Sequence, residues 1–127
     1  MKKTIISLVI VAAAALFIYG CAAKEESVAH GDIKGKTTDI ATGDFFEACD
    51  KFTPGSTVNY SFTSSQPVMF NVHFHEKHKK VYAVEQTLAD KLEGSFVVQS
   101  DSIHCCMWEN KNPKYVTMTY DMSVAEK

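Results

Sequence analysis

Charge is nearly balanced along this chain. Lys and Arg total 13 against 15 Asp and Glu, giving a formal net charge of -2 and an isoelectric point near 6.2. Without a basic excess there is no case for a nucleic-acid partner. The chain also lacks a nucleophile elbow, a phosphate-binding glycine loop, a well-spaced pair of carboxylates and a Cys-x-x-Cys arrangement. These absences argue against an enzyme and against a dithiol redox role. No internal repeat is present, and no apolar run reaches the roughly 20 residues of a membrane span.

The N-terminus carries the first positive signal. Lys2 and Lys3 precede an apolar run from Ile5 to Tyr19, interrupted only by Ser7. That layout is the one a secretory signal peptide has. Its end, Ile18-Tyr19-Gly20-Cys21, resembles the bacterial lipobox, although Tyr19 is an unusual fill. The resemblance implies a signal peptide over residues 1–20, a lipidated Cys21 as the first mature residue, and a membrane anchor. Ala22 after the cysteine favours the outer membrane over the inner by that family's sorting rule. The remaining chain is then expected in the cell envelope, facing the periplasm. Residues 21–43 read as the lipidated cysteine and a polar tether with room for a first strand, and residues 44–124 as one domain with one core.

That domain reads as all-β. Val58, Tyr60 and Phe62 alternate on one face of a strand over 57–63. Val68, Phe70, Val72 and Phe74 do the same over 68–75, with Met69, Asn71, His73 and His75 opposite. The turn Glu76-Lys77-His78-Lys79-Lys80 leads into Val81-Tyr82-Ala83-Val84 as a hairpin. Further strands are expected over 95–99, 103–108 and 115–124, the last two joined as a hairpin through Glu109-Asn110-Lys111-Asn112-Pro113. A short helix is expected from Gln86 to Glu93, ended by Gly94. Short strands at this spacing predict an antiparallel β-sandwich.

Cysteine usage fits an oxidising compartment. With Cys21 lipidated, Cys49, Cys105 and Cys106 remain. A bond between adjacent cysteines is strained, so Cys49 should pair with one of the two. The loop of about 57 residues would be worth roughly 4 kcal/mol on the chain-entropy model. On a strand over 103–108, Ile103, Cys105 and Met107 share one face, and His104, Cys106 and Trp108 the other. Ile and Met suit the core, which predicts an inward Cys105 bonded to Cys49 and an outward Cys106. A bulge would exchange the two roles.

The order Phe46-Glu47-Ala48-Cys49, Phe52-Thr53-Pro54-Gly55, Pro-Val-x-Phe-Asn-Val and Gly94-Ser95-Phe96, followed by a cysteine-bearing strand and an asparagine turn, resembles the GOLD domain. The likeness covers roughly residues 44–124. Cargo receptors of that family have a β-sandwich with one early and one late cysteine joined across it. The resemblance therefore implies a jelly-roll-like or GOLD-like sandwich that binds a protein partner and does no chemistry. The late motif departs from the family, which has a single cysteine nearer the asparagine and no Met-Trp. Bacterial lipoproteins with a Phe-Asn-x-His-x-His-Glu … Cys-x-Met-Trp-Glu-Asn pattern resemble the chain further.

A second reading concerns metal. His73 and His75 leave one strand face about 7 Å apart, half of a transition-metal site. If His104 and the thiol of Cys106 share that sheet face, the four form a cup for copper as Cu(I), or for zinc. Met69, His78 and Trp108 are accessory candidates, Trp108 as a cover or a cation–π partner. The bland alternative is a polar strand face with two solvated histidines. Catalysis would require Cys106 opposite His73 or His75 across strands, because Cys106 and His104 project in parallel.

Overall fold

Strands dominate because β-branched and aromatic residues recur with period two, and turn formers punctuate them. The computed structural model describes residues 25–27 and 32–125. The expected signal peptide, the lipidated Cys21, and residues 22–24 and 28–31 of the tether lie outside these residues. Among the described residues seven strands form the fold: β1 (Glu25–Ser27), β2 (Ile33–Ile40), β3 (Phe45–Asp50), β4 (Thr57–Glu76), β5 (Lys79–Val97), β6 (His104–Glu109) and β7 (Val116–Val124). Pairing is antiparallel except between β1 and β3.

The long β4 organises the whole domain. Its first half, from Val58 to Ser64, pairs with β7, and β7 pairs in turn with β2. Its second half, from Met69 to Phe74, pairs with β6, and β6 with β3. Along its other edge it pairs with β5. The strand bends between the halves, so the sheet curls over itself and two layers face each other. At the bend Thr63 opposes Lys91 and Val68 opposes Ala89, which leaves β4 with extra residues there. Pro67 sits in this bulge, where a missing N–H costs no ladder bond. Side chains tie the bend down: Asn112 Nδ2 donates to the Pro67 carbonyl at 2.8 Å, and Thr117 N–H to Ser65 Oγ at 3.1 Å.

Two expectations change here. Gln86–Glu93 is strand rather than helix, because β5 pairs with β4 on both sides of this stretch and through Thr87–Ala89 and Lys91–Glu93 within it. Local helix propensity is a weak prior that this pairing overrides. β6 and β7 do not pair as a hairpin; each pairs with a different half of β4, and their connection crosses between layers. Asn110 anchors that crossing. It is fully buried, donates to the Ile40 and Lys114 carbonyls, and accepts from Asn112. The β4–β5 turn is tight, with φ of 48° at Lys77 and 65° at His78, as a two-residue type I′ turn requires.

The two layers enclose an aromatic core. Trp108 meets Phe70 with ring centroids 5.4 Å apart, Tyr120 at 5.0 Å, and Phe46 and Phe62 at 5.9 Å. These rings come from β3, β4, β6 and β7, so the core is built from residues distant in sequence. Gly94 has a packing role: a Cβ there would lie 2.5 Å from the Tyr60 hydroxyl, its partner in the β4–β5 register. The Tyr60 ring covers the glycine backbone as it packs beside Phe70 and Phe96.

Candidate functional site

The orientation of β6 decides the site. His104, Cys106 and Trp108 are buried in the core, while Cys105 and Met107 lie on the outer face, half-buried. The face partition follows strand parity, but inside and outside are the reverse of expectation. The physical reason is volume: Trp108 is the largest fully buried side chain, and its apolar surface outweighs that of Ile103 or Met107. Ile103 precedes the strand and is exposed.

Cys49 and Cys105 are joined by a disulfide with Cα atoms 4.1 Å apart. The bond lies on the outer face, not in the core. Its partners follow from register. His73 opposes Cys105, which opposes Cys49, and one step along Asn71 opposes Met107, which opposes Glu47. Opposed residues share a face. The sulfur bridge, His73, Asn71 and Glu47 therefore share one outer patch. Around the sulfurs, His73 and Glu47 it opens into a cleft of about 570 Å³, lined also by His75, Lys80, Ser102 and Ile103.

His73 is the unusual member of this patch. It is 2% exposed although it lies on the outer face. Its Nδ1–H donates to Asn71 Oδ1 at 2.8 Å, which leaves Nε2 aimed at the cleft, 3.6 Å from Glu47 Oε1. Burial, reinforced by Lys80 and His75, brings its pKa down from 6.5 to about 4. At neutral pH the approach to Glu47 is thus a neutral nitrogen beside a carboxyl group rather than an ion pair, since the desolvation cost outweighs the attraction. Asn71, buried at 2%, holds the ring by fixing its tautomer.

The four-residue metal cup does not assemble. His73 and His75 are on the outer side, with ring centroids 5.4 Å apart, while His104 and Cys106 point inward. The sheet itself separates the two pairs. His104 stacks on Phe74 at 4.6 Å and donates from Nδ1 to the Ser102 carbonyl at 2.8 Å. Cys106 is 1% exposed, and desolvation pushes its thiol pKa well up. Neither histidine of the outer pair opposes it, so the Cys–His dyad is absent too. Met69 is half-buried beside Glu109 in the register, His78 occupies the exposed turn, and Trp108 is sealed in the core rather than covering a site.

Glu47 and Asn71 are the members of the patch that motif reading passes over. A signal for Glu47 exists, because in Phe46-Glu47-Ala48-Cys49 it shares a strand face with the cysteine. Among the described residues, Glu47, Cys49 and Cys105 bring their potential ligand atoms within 4.8 Å of one another. In the disulfide state the two sulfurs are not thiolates.

No family model and no curated protein matches the sequence. Solved structures do match in fold. A periplasmic inhibitor of g-type lysozyme, PliG from Aeromonas hydrophila, is similar with a TM-score of 0.61 at 12% identity, over 80% of this chain and 96% of that one. A de novo designed double-stranded β-helix is similar with a TM-score of 0.40 at 10% identity, over 72% of this chain and 100% of that one. The likeness to the inhibitor places the chain among antiparallel β-rich folds.

Proposed function

We propose that this chain is a non-enzymatic binding module of the cell envelope, anchored through a lipidated Cys21, whose partner is another protein. The observation that carries this reading is the free edge of β5. Among the described residues this 19-residue strand pairs only with β4, so the backbone groups along its far side have no strand partner. Such an edge can accept an extended segment of another protein as an added strand. Leu88 and Val97, 63% and 54% exposed, offer apolar contacts along it. Lys79, Lys80, Glu85, Asp90, Lys91 and Glu93 keep it soluble and guard it against indiscriminate pairing.

The similar periplasmic protein inhibits a lysozyme, which supports a protein partner and makes lysozymes the first class to test. A GOLD-like lineage would point the same way. The experiment places a photo-crosslinking residue at Leu88 in the full chain in its own envelope, with Tyr115, 66% exposed in the β6–β7 connection, as control. A protein adduct specific to Leu88, identified by mass spectrometry, supports the reading. Adducts at Tyr115 with none at Leu88 would overturn the β5 edge as the docking surface. Inhibition of purified g-type lysozyme by the full chain tests the narrower partner class.

A further inference from the structure

The outer patch changes character when its disulfide opens. Cys49 and Cys105 then present two sulfurs beside the Glu47 carboxylate, with His73 Nε2 aimed into the same cleft. We propose that Glu47, Cys49, His73 and Cys105 form a redox-gated Zn(II) site, closed while the disulfide is intact and open when a dithiol donor reduces it. This inference goes beyond the protein-binding reading and does not depend on it.

Four observations converge on the site. The donor set is two thiolates, one imidazole and one carboxylate, a composition suited to a tetrahedral borderline cation. The sulfurs and a Glu47 oxygen already lie within 4.8 Å of one another, and His73 Nε2 lies 3.6 Å from Glu47 Oε1. With Zn–S bonds of about 2.3 Å, the two sulfurs need to move apart to roughly 3.7 Å. The two cysteines sit directly opposite each other on paired strands and stay neighbours after the bond breaks.

His73 is oriented as a metal-binding histidine is. Its Nδ1–H is engaged by Asn71, which fixes the ring and leaves Nε2 as the ligand atom. The ring is 2% exposed, so packing as well as the Asn71 bond holds its orientation.

Charge supplies the gate. Lys80 lines the cleft and repels a dication while the sulfurs are bonded to each other. Once they are thiolates, two sulfur charges and one carboxylate balance a dication and the Lys80 ammonium. The step conserves atoms and electrons. A donor thiolate attacks one sulfur, forms a mixed disulfide, and its second thiol releases the donor as its own disulfide. Two electrons and two protons end on Cys49 and Cys105. Zn(II) then displaces the two thiol protons to solvent.

The test uses the full chain in detergent with Cys21→Ser and Cys106→Ala, which removes the other thiols. It is reduced with a phosphine, desalted under argon and titrated with Co(II), then Zn(II), beside the oxidised form. The expected result is one Co(II) per reduced chain, with sulfur-to-cobalt charge transfer and tetrahedral ligand-field bands that Zn(II) abolishes. The oxidised form should show neither band. Asn71→Ala should weaken binding roughly tenfold to a hundredfold, and His73→Ala at least as much. Far-ultraviolet circular dichroism monitors the fold of every sample. A folded reduced chain without the charge-transfer band overturns the proposal. So does binding of equal strength in folded Cys49→Ser/Cys105→Ser or His73→Ala variants. A reduced chain that unfolds and is not refolded by Zn(II) overturns it as well.

Discussion

His73 makes the stability of this domain sensitive to mild acid. In the unfolded chain its imidazole takes up a proton near pH 6.5, but in the folded chain not until about pH 4. Between these values the unfolded state binds more protons, so falling pH draws the equilibrium toward it. The contribution is fully present above about pH 6.5 and is lost progressively as pH falls to about 4. The side chain is only 3% exposed, so solvent screening offers little relief. At 1.36 kcal/mol per pKa unit, the window is worth about 3 kcal/mol. Urea denaturation of the wild type and of His73→Asn across the window isolates this quantity, since asparagine keeps a donor for Asn71 and does not titrate there. The variant loses stability at neutral pH through lost packing. The wild type should close that gap by about 3 kcal/mol on acidification. His75, His78 and the carboxylates are common to both chains, so their effects largely cancel. Parallel stability curves in the two proteins would refute the reasoning.

Four further outcomes are expected. Cys49→Ala with Cys105→Ala removes a link spanning 56 residues and should cost about 4 kcal/mol on the chain-entropy model, read by urea denaturation at neutral pH. Trp108→Ala empties the centre of the aromatic core and should cost about 3–5 kcal/mol in the same assay. Gly94→Val drives a side chain into the Tyr60 ring and should cost about 1–3 kcal/mol; in a Tyr60→Ala background most of that loss should vanish, which a double-mutant cycle measures. Cys106 should resist a thiol reagent in the folded, oxidised protein and react only once urea unfolds it, because its thiol is 1% exposed and its pKa is raised by burial.

The free edge of β5 and the sulfur cleft are connected in the fold. Lys80 belongs to β5 and lines the cleft that His73 of β4 enters. In the register His73 opposes Tyr82 on the same strand. A segment docked along β5 near Lys80 would thus lie close to the ligands, and a change in the charge of the cleft would be felt at that end of the edge.

Alternation determined the strand class of this protein. Val58, Tyr60 and Phe62 face one way, as do Val68, Phe70, Val72 and Phe74, because a period of two places them there whatever the partner strand. Turn chemistry placed the β4–β5 reversal within Glu76–Lys80, and the structure centres it on Lys77 and His78. Parity likewise separated His104, Cys106 and Trp108 from Cys105 and Met107. Which of those faces looks inward was not local information. It followed from the volume enclosed by Phe46, Phe62, Phe70 and Tyr120, rings from three other strands that only Trp108 fills. The strand state of Gln86–Glu93 was equally non-local, since it is imposed by pairing with β4. The site shows the same division. Residue type marked His73, Cys49 and Cys105 as chemically able groups. Alternation put Asn71 on the face of His73 and Glu47 on that of Cys49, but bringing those faces together required the β3–β6–β4 register, because pairing between strands is set by the long-range burial of the core and not by neighbours along the chain.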